Sequence, residues 1–192
     1  MIKILLGVAF AAAFSSLMAC NPGTGVGEVS GIVTVRDCDL LNESIELEPD
    51  FFTAEETTRG LLIRLQRGSD LQVRSDGVWI SVNDVDELYR SSRGAAIPLS
   101  TAADTPVTLS LHLNGTCAGD WTDVPVVLQA ESGTVVFDEI YAPRVNDESQ
   151  RIVGRFDNVV VRDPGDPSRR FGRIRGTFDF IYNRGRPAQR YP

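Results

Sequence analysis

At 192 residues and 42% apolar content, the chain holds enough material for one domain with a real core and too little for two ordinary ones. A net charge of −7 excludes the basic balance of a nucleic-acid binder, and one histidine with three cysteines excludes the Cys/His zinc modules. Lys3 is the only lysine, so every later basic side chain is an arginine.

The chain opens on Lys3 followed by an apolar run over residues 4–18, which is too short to span a bilayer as a helix and reads as an export signal. An ordinary secretory cleavage needs small residues one and three positions before the cut; Ala19 fits the near position, but Leu17 is bulky at the far one. Leu17-Met18-Ala19-Cys20 instead resembles the lipobox of bacterial lipoproteins. That resemblance implies that residues 1–19 are removed and that Cys20 is acylated and becomes the first residue. Asn21, standing where an aspartate would hold such a protein in the inner membrane, implies the outer membrane, on its periplasmic or cell-surface side. Residues 20–27 (Cys-Asn-Pro-Gly-Thr-Gly-Val-Gly) then read as the lipidated residue and a short flexible tether, and 28–192 as one domain.

With Cys20 committed to lipid, Cys38 and Cys117 remain, and export to an oxidising compartment predicts a disulfide between them. Residues 28–36 alternate and are valine-rich, a strand leading to Cys38. Residues 40–50 are ambiguous, with a short strand around Ile45 and Leu47. Thr53-Ala54-Glu55-Glu56 matches a helix capping box closed by Gly60, which predicts at most two helical turns. Strands follow at 61–67 and 71–74 around a Gly68-Ser69-Asp70 turn. Asp76-Gly77 signals a hairpin, with 78–82 as its return strand. Asn83 or Asp84 can cap a brief helix carrying Val85, Leu88 and Tyr89.

Residues 106–113 form the cleanest alternation, with Val107, Leu109, Leu111 and Leu113 on one face. Asn114-Gly115 turns toward Cys117 and Trp121, and strands at 124–130, 134–141, 150–162 and 171–183 complete the set. Many short strands, scarce helix signals and frequent turn residues predict an all-β antiparallel fold, a β-sandwich or alternatively a β-barrel.

Charge is uneven along the chain. Residues 21–143 carry seven arginines against twenty acids, whereas 144–192 carry eleven against six. Alternation explains much of the basic end. Ile174, Gly176, Phe178, Phe180 and Tyr182 share a face opposite Arg173, Arg175, Thr177 and Asp179. Ile152, Gly154 and Phe156 likewise oppose Arg151, Arg155 and Asp157. Two registers bury the aromatics, one placing Phe156 across from Phe178, the other placing Asp157 across from Arg175. Arg151, Arg155, Arg173 and Arg175 therefore project outward as the candidate partner surface.

No catalytic set stands out. His112 lies on a polar strand face, without a nucleophile at a recognisable spacing, and reads as solvated or hydrogen-bonded. Asp163-Pro164-Gly165-Asp166-Pro167 and Asn83-Asp84-Val85-Asp86-Glu87 could offer oxygens to calcium, but neither has an EF-hand spacing. A turn and a helix cap explain them. Trp79, Trp121, Tyr89 and Tyr141 could form an aromatic platform or pack, with Trp121 covering the disulfide. The expectation is a lipid-anchored, non-catalytic β domain that binds an envelope protein or polysaccharide, with no cofactor, metal or nucleic-acid partner. A hydrolase using paired carboxylates and a structural envelope role are the alternatives.

Overall fold

A computed structural model describes residues 23–68, 75–117, 125–146, 150–182 and 188–189. The strands are β1 (Gly23–Val35), β2 (Leu40–Leu47), β3 (Phe51–Glu56), β4 (Leu61–Gln66), β5 (Asp76–Val82), β6 (Ile97–Pro98), β7 (Val107–Leu113), β8 (Val127–Glu139), β9 (Arg151–Arg162), β10 (Arg170–Ile181) and β11 (Ala188–Gln189). A 3₁₀ turn covers Arg36–Cys38, and the helix α1 covers Val85–Ser91. The protein is all-β and, β11 against β1 apart, antiparallel, as its alternation predicts.

All these strands belong to one sheet, so the two walls of the expected sandwich are continuous with each other. The order β10-β9-β8-β7-β5-β4-β3-β11-β1-β2 curls strongly into a half-barrel. β1, next to the last strand of this order, also pairs with β10, and the two residues of β11 bridge the gap between β3 and β1. The inward positions predicted by alternation form the core: Val78, Ile80 and Val82 on β5, the four apolar residues of β7, and Ile174, Phe178 and Phe180 on β10 are all buried. Apolar groups inside and charged groups outside are the inverse of a membrane-spanning barrel.

Several local signals lose to tertiary pairing. Thr53–Glu56 forms strand, not helix, because Phe51, Phe52 and Ala54 are buried and the segment pairs along its length with β4. Asp76-Gly77 opens β5 instead of turning a hairpin, since Gly77 already pairs with Gln66 and His112. The strands expected at 124–130 and 134–141 are one, β8, bent by register shifts around Ser132 and by Gly133 at φ 117°. The strand expected at 71–74 and the placement of Trp121 lie outside the described residues.

Part of the segment expected to be a flexible tether is strand. Gly23 to Gly27 are the first residues of β1, paired with β10 from Gly25 onward and with β11 at Gly23 and Thr24. These glycines serve packing. A methyl group on Gly25 would lie 2.5 Å from the Phe52 ring, and one on Gly27 would lie 2.8 Å from the Thr177 carbonyl oxygen.

Candidate functional site

The β9–β10 register is the second of the two expected. Gly176 pairs with Phe156 and Phe178 with Gly154, so each phenylalanine lies over a glycine of the neighbouring strand. A methyl on either glycine would come within 2.5–2.6 Å of that ring. Near Asn158 the register shifts by one. Asn158 takes φ 51°, a left-handed conformation that asparagine tolerates, and both Asp157 and Asn158 consequently face outward.

This register sorts the four candidate arginines into two pairs. Arg151 donates from Nε and Nη2 to the Asp179 carboxylate at 2.8 and 2.6 Å, and Arg155 donates to Asp138 at 2.6 Å. The carboxylate of Asp179 raises the Arg151 pKa further above its ordinary value. Both guanidiniums are thus neutralised on the sheet surface. Arg173 and Arg175, by contrast, have no carboxylate within ion-pair distance among the described residues; the Arg175 Nε donates to Ser30 Oγ at 3.3 Å.

Arg173 and Arg175 lie in an open groove of about 930 Å³ on the outer face of β1, β2 and β10. Glu28, Ser30 and Ile32 of β1 and Ser44 and Glu46 of β2 contribute to it, and the β9 bulge adds Asp157 and Asn158. Glu28, Glu46 and Asp157 also have no ion-pair partner among the described residues. The groove therefore gathers charges of both signs that the fold leaves available. Ile32 adds an apolar side chain that is 51% exposed. Among the described residues, no aromatic ring lines it. The β1 and β2 contributions were not legible in the sequence, because they depend on β1 lying between β10 and the β2 hairpin arm.

The Cys38–Cys117 disulfide forms, with a Cα–Cα distance of 5.2 Å across a sequence separation of 79 residues. It fastens the β1–β2 connection to the chain just after β7. At this end Asp37 accepts from Arg169 and Arg170 at 2.8 Å, and Arg170 also donates to Asp163. Burial pushes the Asp163 pKa up, but the Gly165 N–H and the Arg170 guanidinium outweigh it and hold the carboxyl below its ordinary range.

The other candidate residues are used by the fold. Among the described residues no group of three His, Cys, Asp or Glu side chains could hold a metal ion. In both calcium candidates arginines and backbone amides engage carboxylates, Asp163 and Asp84 above all. Asp84 caps α1 by accepting from the Glu87 N–H and also pairs with Arg59, and Arg144 faces Asp86 at 3.7 Å. The Glu87 N–H is the leading cause of the lowered Asp84 pKa.

Trp79 is sandwiched between neighbours: His112 stacks on it at 4.1 Å, and the Arg64 guanidinium sits 4.7 Å from its ring centroid. His112 is 8% exposed and hydrogen-bonds Ser110 Oγ through Nε2 at 3.0 Å. Burial first, and then the Arg64 charge, lower its pKa to about 4. Tyr141 packs against Tyr182, and Tyr89 receives hydrogen bonds from Arg93 and Asn146. Among the described residues, Tyr141 pairs with Tyr182 while Trp79 stacks on His112.

No family model matches the chain, and neither a curated protein nor a solved structure is significantly similar to it.

Proposed function

We propose that this protein is a lipid-anchored component of a bacterial envelope. Its half-barrel binds another envelope protein through the groove between β1, β2 and β10, without catalysing a reaction. The carrying observation is the contrast within one sheet face: Arg151 and Arg155 are ion-paired, whereas Arg173 and Arg175 stand in a groove beside available carboxylates and an exposed isoleucine. Charges of both signs around an apolar contact suit a protein surface, where complementary pairing fixes register and excludes wrong partners. Polysaccharide is the weaker reading, because no aromatic ring in the groove offers a sugar a stacking face.

The outer-membrane address rests on the lipobox resemblance of Leu17-Met18-Ala19-Cys20 and on Asn21. The Cys38–Cys117 disulfide supports a compartment outside the cytoplasm.

The test is photocrosslinking in intact cells, because amine-reactive reagents have no lysine beyond the leader to attack. A benzophenone amino acid at position 32 should capture one defined protein, and the same group at exposed Leu41 on β2 should not. Equal capture from both positions, or only lipid and cell-wall polymer from position 32, would contradict the proposal.

A further inference from the structure

We infer that the membrane-proximal surface of this domain is the corner formed by the start of β1, the end of β10 and β11, and that it rests directly on phospholipid headgroups. This deepens the anchored reading above and rests on acylation of Cys20.

The first argument is reach. Only Asn21 and Pro22 separate Cys20 from Gly23, the first residue of β1. Three residue steps span at most about 11 Å when fully extended. The headgroup layer on one side of a bilayer is itself roughly 5–8 Å thick. An acyl chain on Cys20 therefore leaves the start of β1 at most about 3–6 Å beyond the headgroup layer, even with the connection fully extended.

The second argument is that β1 cannot lend residues to a tether. Gly25 lies against Phe52, which is fully buried, and pairs with Phe180; Gly27 pairs with Phe178. Peeling these residues away would expose two core aromatic rings and break the strand ladder on both sides of β1. The glycines that look like a linker are what allow β1 to lie that close to Phe52.

The third argument is the chemistry of the corner. Val26 on β1 and Ile181 at the end of β10 are 59% and 43% exposed, and with Gly25, Arg151 and Asp179 they line a shallow depression there. β11 pairs directly with Gly23 and Thr24. A lipid chain and two exposed aliphatic side chains at one corner match a phospholipid surface. β1 then runs away from the bilayer, so the groove residues Glu28 to Ile32 are presented further out, toward a partner.

The test uses the full acylated protein reconstituted in vesicles of phosphatidylethanolamine and phosphatidylglycerol. Val26→Cys and Ile32→Cys are each spin-labelled; with Cys20 acylated and Cys38–Cys117 oxidised, each carries a single free thiol. A label at 26 should be severalfold more accessible to oxygen than to a water-soluble nickel chelate, relative to the label at 32. An insertion of about eight Gly/Ser residues between Pro22 and Gly23 should remove that difference while leaving the protein vesicle-bound. Intact mass reports acylation independently. An acylated protein whose labels at 26 and 32 are equally wet overturns the inference and leaves the anchor standing; a protein with no acyl mass on Cys20 overturns both.

Discussion

Two glycines do most to set the geometry of the β9–β10 wall. Gly154 and Gly176 give Phe178 and Phe156 the space to lie flat across the neighbouring strand. Gly176→Val would place its β carbon 2.5 Å from both the Phe156 ring and the Glu28 carbonyl oxygen, the second of which is backbone and cannot give way. We expect a loss of about 1–3 kcal/mol, in line with other overpacked cores, read by denaturant unfolding. Arg155→Ala on the outward face of the same strand should cost far less, because its ion pair is exposed. His112 offers a second test. Its folded pKa of about 4 lies below the ordinary value of 6.5, so the unfolded chain binds more protons between those limits. Stability from the neutral ring is complete above pH 6.5 and is lost as pH falls toward 4, by up to about 3 kcal/mol. His112→Gln should flatten that limb of the pH–stability curve; an unchanged slope would show that other groups produce it.

At the scale of elements, what could be read in advance was alternation. The inward faces of β5, β7, β9 and β10 were legible because a period of two survives whatever pairs with the strand. Partner-dependent features were not. The Thr53–Glu56 capping box is a sound local signal, but pairing with β4 and burial of Phe52 outweigh what a two-turn helix could offer. Gly23 to Gly27 look like a linker in composition and are a strand in context, because the ring that needs their missing side chains, Phe52, is remote in sequence. The groove was half legible: alternation pointed Arg173 and Arg175 outward, yet nothing in the sequence separated them from Arg151 and Arg155, whose partners sit on other strands. The disulfide was legible by cysteine arithmetic. It ties the β1–β2 arm to the β7 end and closes a long loop in the unfolded chain, so the Cys38→Ser/Cys117→Ser variant should lose roughly 2–5 kcal/mol. A smaller loss, measured by thermal unfolding, would mean that the Asp37–Arg170 ion pairs alone hold that junction.

The whole molecule is a curled sheet with an apolar interior, one face of which collects unneutralised charge, and whose first strand starts three residues after the candidate lipid anchor. The start of β1 and the groove lie at different heights along the same strand. That arrangement suits a protein held against a membrane and reading a partner beyond it. The central claim is that Arg173 and Arg175 act in binding while Arg151 and Arg155 only build the sheet. It is tested most directly by comparing crosslinked-adduct yield from position 32 in two double variants, Arg173→Ala/Arg175→Ala and Arg151→Ala/Arg155→Ala, at matched expression. The account predicts that the first lowers the yield about tenfold, as expected for loss of complementary charges at an interface, and that the second leaves it unchanged. Equal yields in the two variants would contradict it.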